Sequence, residues 1–245
     1  MKTLKKIYYR SYFLQAVWNY ENMQSIGFLF AMLPKLKELY GGNKEKLIES
    51  CRRHMVYFNT HPYMASLILG FAAKQEEKIA VQDEGSVETL NRYKLQMAGP
   101  LAAMGDKMFW STWRPAVGVL GITAVFINVR PAYFIPAIFF LVYNIPVIMH
   151  RLKSMKVGYE NKESVADSIK MIHSNLIVNS LHYVGIVLVA VCLLSIFVRA
   201  GFVKGVVFAA VTLTAFLLRN YLRFSETKLL YMVSAILIGI FMVVK

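Results

Sequence analysis

The sequence predicts an all-α, polytopic integral membrane protein with broken or re-entrant helices and an amphipathic N-terminal region. Three observations carry this expectation. Hydrophobic residues fill 57% of the 245 positions, at a mean hydropathy of +0.46, while 17% are charged; ordinary soluble domains are about a quarter charged. The charges are clustered, so several long runs contain no acid or base. Prolines interrupt two of these runs, where a freed backbone group has no water to turn to.

The charge deficit weighs more than the apolar excess. A soluble 28.0 kDa domain could hide a large core, but it would still need charged residues to cover its surface. The formal charge of +14, from 28 bases and 14 acids, raises the question of nucleic acid. Here the bases bracket uncharged runs and do not form a basic helix or groove, so nucleic acid is excluded as the expected partner. Anionic phospholipid headgroups fit better, and basic loops are retained on the cytoplasmic side. The two cysteines, Cys51 and Cys192, are far apart with no metal-type spacing, and read as small buried hydrophobes.

From the N-terminus, MKTLKKIYYRSYF is basic but lacks a following small-residue cleavage site. The expectation is an uncleaved, cytoplasmic start. Tyr12 to Leu33 is apolar but contains Gln15, Asn19, Glu21, Asn22 and Gln24. On helical geometry Gln15, Asn19 and Asn22 share a face, which predicts an amphipathic helix in the interface or along a polar cavity. Lys35 to Arg53 is polar, with a Gly41-Gly42-Asn43 turn ahead of a helical pattern. Met55 to Ala73 has no Asp, Glu, Lys or Arg, yet contains FNTHPYM. It reads as a broken or re-entrant helix that changes direction at His61-Pro62. Lys74 to Lys94 mixes both charge signs and reads as solvated helix or loop.

Ala132 to Met149 is uncharged with Pro136 and Pro146 inside it, predicting a non-helical NIP turn at Asn144 to Pro146 that faces protein or an aqueous cavity. Arg151 to Lys170 carries five bases against three acids and is expected in the cytoplasm. Tyr183–Val198, Gly205–Leu218 and Leu229–Val244 are free of Asp, Glu, Lys and Arg and are read as three successive spans. Each falls a little short of the roughly 20 residues that cross the hydrocarbon, and flanking basic side chains extend them by snorkelling. With no short repeat or low-complexity tract, residues 1–245 are expected to form a single integrated membrane domain.

The stretch richest in chemistry is GPLAAMGDKMFWSTWRP, from Gly99 to Pro115. Asp106, Lys107 and Arg114 lie there among apolar residues, and ionised groups at membrane depth pair or face a pathway. Two readings of Asp106 stand side by side. As a cap, it would satisfy the amides of a helix beginning after Gly105. As a binding residue, its carboxylate would accept sugar hydroxyls beside the flat indoles of Trp110 and Trp113, with Gly99 and Gly105 allowing close backbone approach. Asn59 and His61 are pathway candidates at the other break, against a reading in which His61 only satisfies a carbonyl there. Arg114, Pro62 and Pro146 are structural or partner-interface candidates. No metal-ligand cluster and no glycine-rich phosphate loop is evident, so no metal and no cofactor is expected.

The segments RSYFLQAVWNYENMQSIGFLFAMLP, LYG, HMVYFNTHPYMASLILG, GPLAAMGDKMFWSTWRP and FFLVYNIPVI, in this order and spacing, resemble the IID membrane component of the mannose-type bacterial sugar phosphotransferase system. The resemblance implies a subunit of a hexose or amino-sugar permease built with a separate IIC membrane chain. It implies phosphoryl groups arriving through a IIB or IIAB protein, a place in the bacterial cytoplasmic membrane, and no catalytic centre in this chain. The chain departs from the family's usual GPLAGIGDSxxW: Ala103-Met104 precede Gly105, and Lys107 replaces a small hydroxyl residue after Asp106. An integral membrane enzyme acting on a lipid-linked substrate, with Asp106 or His61 as general base, is the alternative, although no nucleophile or electrophile-stabilising set accompanies either residue.

Overall fold

A computed structural model of the chain describes residues 2–81, 85–126, 131, 133–160 and a scatter of positions between 183 and 214. These residues form α1 (Lys2–Arg10), a 3₁₀ turn (Ser11–Phe13), α2 (Ser25–Tyr40), α3 (Lys44–His54), α4 (Ala65–Ala80), α5 (Ser86–Gly105), a π-helical stretch (Asp106–Trp113), α6 (Arg114–Phe126) and α7 (Phe134–Glu160). Among the described residues the extended pairings are two isolated bridges, so the all-α expectation holds. Apart from single positions, the three expected C-terminal spans lie outside the described residues, as do Cys192 and the part of Arg151 to Lys170 beyond Glu160.

The chain divides into two compact units interleaved in sequence. In the first, Met1–Val117 with Ile138–Tyr183, α4 is the central element. Every residue from Ala65 to Ala73 is buried, as expected of a helix apolar on all sides. Phe71 on α4 is fully buried, as are Phe28 and Phe58 from other segments of the same core. α7 is long and apolar enough to cross a membrane, with mean hydropathy 1.5 over its most apolar 18 residues. Its buried positions Val147, Arg151, Ser154, Met155 and Gly158 fall on one helical stripe. Gly70 and Gly158 let α4 and α7 touch backbone to backbone: a Cβ on Gly70 would lie 2.2 Å from the Met155 carbonyl oxygen, and one on Gly158 2.0 Å from that of Leu67. The second unit, Gly118–Ala137 with Val184–Lys245, is described mainly through the later part of α6, where Thr123 returns its hydroxyl to the Val119 carbonyl at 2.8 Å.

Three sequence expectations are corrected. The polar N-terminal stretch is not one helix. The amphipathic helix is α1, with Ile7 and Tyr8 buried and Lys2, Lys5 and Lys6 exposed, and regular helix resumes only at Ser25. Between them Asn19 accepts the Asn22 amide on its side chain at 2.8 Å, and Met23 turns the chain with φ +53°. The YNIP sequence is not a break either, because α7 runs through Pro146. Pro146 has no N–H to give the preceding turn, and nearby carbonyls find side chains instead: Trp113 Nε1 donates to Tyr143 O at 3.2 Å and Asn144 Nδ2 to Phe140 O at 2.8 Å. Finally, Lys74 to Lys94 is not simply solvated. It supplies the end of α4 and half of α5, and it buries Glu76 and Lys94.

Glu76 organises the polar end of this unit. Its carboxylate is fully buried and accepts from Tyr40 Oη at 2.8 Å, Arg53 Nη1 at 2.8 and 3.0 Å, and His54 Nε2 at 3.0 Å. Burial alone would raise its pKa, yet His54, Arg53 and Tyr40 together hold it below the usual value. Burial lowers the His54 pKa, so a neutral ring donates to the carboxylate. The Gly41-Gly42 turn and the Asn43 cap, whose side chain takes the Lys46 amide at 3.0 Å, aim α3 so that Arg53 and His54 arrive there. At the next residue, burial opposes ionisation of Glu77, but Lys35, Tyr159 and Lys74 bring its pKa down to about 2.

Two outcomes follow for the protein in detergent. Glu76→Ala takes a buried acceptor from Tyr40, His54 and the half-buried Arg53, which keeps Glu49 at 3.4 Å, and should cost about 1–3 kcal/mol of stability, read as a lower unfolding midpoint; an unchanged midpoint would contradict the network. Because the Glu77 pKa is depressed from 4.5 to about 2, its stabilisation is complete above the upper value and is lost as pH falls toward the lower one. Thermal stability should drop across that window, and Glu77→Gln should flatten the drop.

Candidate functional site

The break between α3 and α4 is real and spans residues 55–64. A backbone that leaves helical geometry in apolar surroundings must find other partners for its amides and carbonyls. Gln24, only 2% exposed, supplies several. Its side-chain Nε2 donates to Thr60 O at 2.8 Å, its Oε1 accepts from Thr60 N at 3.1 Å, and its own backbone N–H donates to Phe58 O at 2.8 Å. The Thr60 hydroxyl continues the clamp to Ala98 O on α5 at 2.9 Å. The His61 carbonyl then accepts from Met64 N and Ala65 N at 2.9 and 3.1 Å, which starts α4 just after Pro62.

Held this way, His61 lies against the other sequence hotspot. A Cβ on Gly105 would sit 2.2 Å from His61 Cγ and 2.3 Å from its Cβ, so glycine is what permits the approach. The imidazole stacks on Phe109 at 5.5 Å, tilts against Trp110 at 4.7 Å and meets the edge of Tyr63 at 5.0 Å. Phe109 also meets His150 of α7 edge-on at 5.2 Å, and Tyr63 Oη lies 3.2 Å from Tyr143 Oη. His61 Nδ1 accepts the Tyr63 amide at 3.3 Å, whereas its buried Nε2 has no partner among the described residues. The result is an aromatic wall in which His61 Nε2 is buried without a partner among the described residues and Trp110, 45% exposed, stands at the rim.

The two hotspots named from sequence therefore meet, through His61, Gly105 and Trp110. Asp106 and Asn59 are exposed beside this wall, and their side chains have no hydrogen-bond partner among the described residues. The capping reading of Asp106 fails: α5, the π stretch and α6 follow one another without a new helix start, and Asp106 keeps helical angles of φ −59°, ψ −48°. Gly99 is exposed with open space around its Cβ position, so it permits no close approach. Arg114 and Pro146 are exposed, Pro62 is half-buried, and Arg114 forms no ion pair among the described residues. Phe109, Tyr63, Tyr143 and His150 went unnamed in the sequence because aromatic residues in an apolar run look like any other core. Among the described residues no group of three His, Cys, Asp or Glu could hold a metal ion.

Comparison with known proteins places the chain in a family. The family model of the PTS system mannose/fructose/sorbose family IID component matches residues 1–212. The chain is 35% identical over 156 residues to the PTS system mannose-specific EIID component of Escherichia coli (strain K12), covering 64% of this chain and 54% of the relative. It is 32% identical over 159 residues to the fructose permease IID component of Bacillus subtilis (strain 168), covering 64% and 56%. The chain thus spans about half the length of the relatives it matches. Among solved structures it is similar to a chain of the mannose transporter ManYZ in complex with microcin E492, with TM-score 0.61 and 28% identity over 79% of this chain and 69% of that one. It is also similar to a membrane protein structure with TM-score 0.66 and 29% identity, over 79% and 70%.

Gly105→Ala tests the close approach directly. Overpacking of this kind costs about 1–3 kcal/mol, so the variant should melt earlier. His61→Gly in the same chain, which removes the clashing atoms, should recover part of the loss; equal losses with and without His61 would contradict the contact.

Proposed function

This chain belongs to the mannose/fructose/sorbose family of IID components of the sugar phosphotransferase system, and on that footing we propose that it is a membrane subunit of a sugar permease. With a IIC chain it binds and translocates a hexose or amino sugar, and a phosphorylated IIB or IIAB protein supplies the phosphoryl group to the sugar hydroxyl. The observation that carries the reading is the packing of the broken segment at His61 onto Gly105 and Trp110, because it puts an irregular backbone, an indole face and free polar groups in one place. Sugars are recognised by such sets: a flat apolar face for the ring, and acceptors and donors for the hydroxyls. Asp106 and Trp110 are assigned to the sugar, Asn59 and His61 to its pathway, and Arg114 to the helix anchor or the IIC interface. Transfer chemistry belongs to the partner, which makes uptake one-way.

The chain is assigned to the bacterial cytoplasmic membrane with its N-terminus in the cytoplasm. There the exposed Lys2, Lys5 and Lys6 of α1 meet anionic headgroups. Residues 1–245 act as one membrane domain, a reading supported by the interleaving of the two units: the chain leaves the first at Val117, returns at Ile138 and leaves again after Tyr183.

Asp106→Asn is the test. It keeps the size of the side chain but removes a charged acceptor, worth about 1.5–3 kcal/mol, so initial uptake should fall roughly ten- to a hundredfold while the yield of complex with IIC stays normal. Near-normal uptake, or a loss explained by failed assembly, would overturn the assignment.

A further inference from the structure

The helical path through the site changes register. Asp106–Trp113 is π-helical for eight residues, flanked by α5 and α6 without interruption, whereas π-helix is rare and usually confined to a single turn. One side chain records the wider register. Thr112, 5% exposed, donates its hydroxyl to the Lys107 carbonyl five residues back at 2.8 Å. In α-helical register a Ser or Thr hydroxyl reaches three or four residues back, as this chain does elsewhere: Ser50 bonds Leu47 O at 2.8 Å and Thr123 bonds Val119 O at 2.8 Å. The backbone agrees at the end of the stretch, where the Arg114 amide donates to Phe109 O, again five residues back.

We infer that Thr112 is a positioning residue: its hydroxyl bond to Lys107 holds the π register, and that register sets where Asp106 and Trp110 stand relative to His61. Gly105 and Phe109 are fixed against His61 from one side. A relaxation to α register slips the stretch by one residue, which is about 100° of rotation and about 1.5 Å of rise. Such a slip cannot keep both Phe109 and Trp110 on the imidazole. Thr112 itself does not touch the sugar, so its effect passes through the helix. The inference rests on the sugar-site reading for its functional consequence, but the register itself can be read without transport.

The experiment uses the chain co-expressed with its IIC partner in membranes, with Cys51 and Cys192 replaced by alanine and single cysteines placed at Lys107, Met108 and Ser111. In this structure positions 107 and 111 are exposed and 108 is half-buried, so a water-soluble maleimide should label the first two faster. Thr112→Val, which keeps shape and removes the hydroxyl, should change that order, and Thr112→Ser should restore it. In parallel, Thr112→Val should raise the KM for sugar roughly two- to tenfold, with Vmax and complex yield little changed, and Thr112→Ser should return KM to normal. An unchanged labelling order in Thr112→Val would overturn the inference whatever happens to uptake. A changed order with normal KM would keep the register role and instead contradict the assignment of Asp106 and Trp110 to the sugar.

Discussion

Residues 55–64 leave helical geometry between two helices of an apolar unit, and the site depends on how their backbone is satisfied. Gln24 does most of this with one side chain and one amide, bonding Thr60 on both sides and Phe58 once. A buried unpaired amide or carbonyl costs about 1–3 kcal/mol, so several left open would melt the segment or pull it out to water. The N-terminal turn therefore has a structural purpose. Met23 at positive φ and the Asn19 turn bring Gln24 beside the break, and a continuous helix over the same residues would not place it there. Once Thr60 is clamped, His61 has little choice of position, and the glycine opposite it becomes necessary.

The break and the π stretch solve related problems in different ways. The break exposes backbone groups and recruits a side chain from a distant element. The π stretch keeps its backbone groups paired along the helix but changes which side chains share a face. The Glu76 cluster steadies the other end of α4 by joining α2, α3 and α4 at one carboxylate. α4 is thus fixed at its start by the clamped break and near its end by ion pairs. Between them, the Gly70 and Gly158 crossing brings α7 close.

How far the sequence discloses this depends on whether a feature is local. The break at FNTHPYM is legible because Asn, Thr, His and Pro are all poor helix formers at successive positions, and the Gly-Gly-Asn turn is legible for the same reason. YNIP misleads because a single proline is locally identical in a kept helix and a broken one; Trp113 and Asn144 decide the outcome, and only one of them is nearby. Gln15, Asn19 and Asn22 mislead because a helical spacing of polar residues also suits a series of turns. Glu76 is the clearest omission. In a run of mixed charges it looks solvated, and its partners Tyr40, Arg53 and His54 come from two other segments. The cap reading of Asp106 misleads because it assumes a helix start after Gly105, which the continuous run from α5 through the π stretch removes.

The central claim is that the clamped break lines the sugar's path, and substrate protection tests it most directly. With native cysteines removed and a single cysteine at Asn59, an exposed position next to Thr60 and His61, the labelling rate by a water-soluble maleimide would be measured in assembled complexes across a panel of hexoses and amino sugars. The account predicts that the transported sugar slows labelling in a saturable way while non-transported sugars leave it unchanged. Labelling that is indifferent to every sugar the complex demonstrably transports would contradict the account.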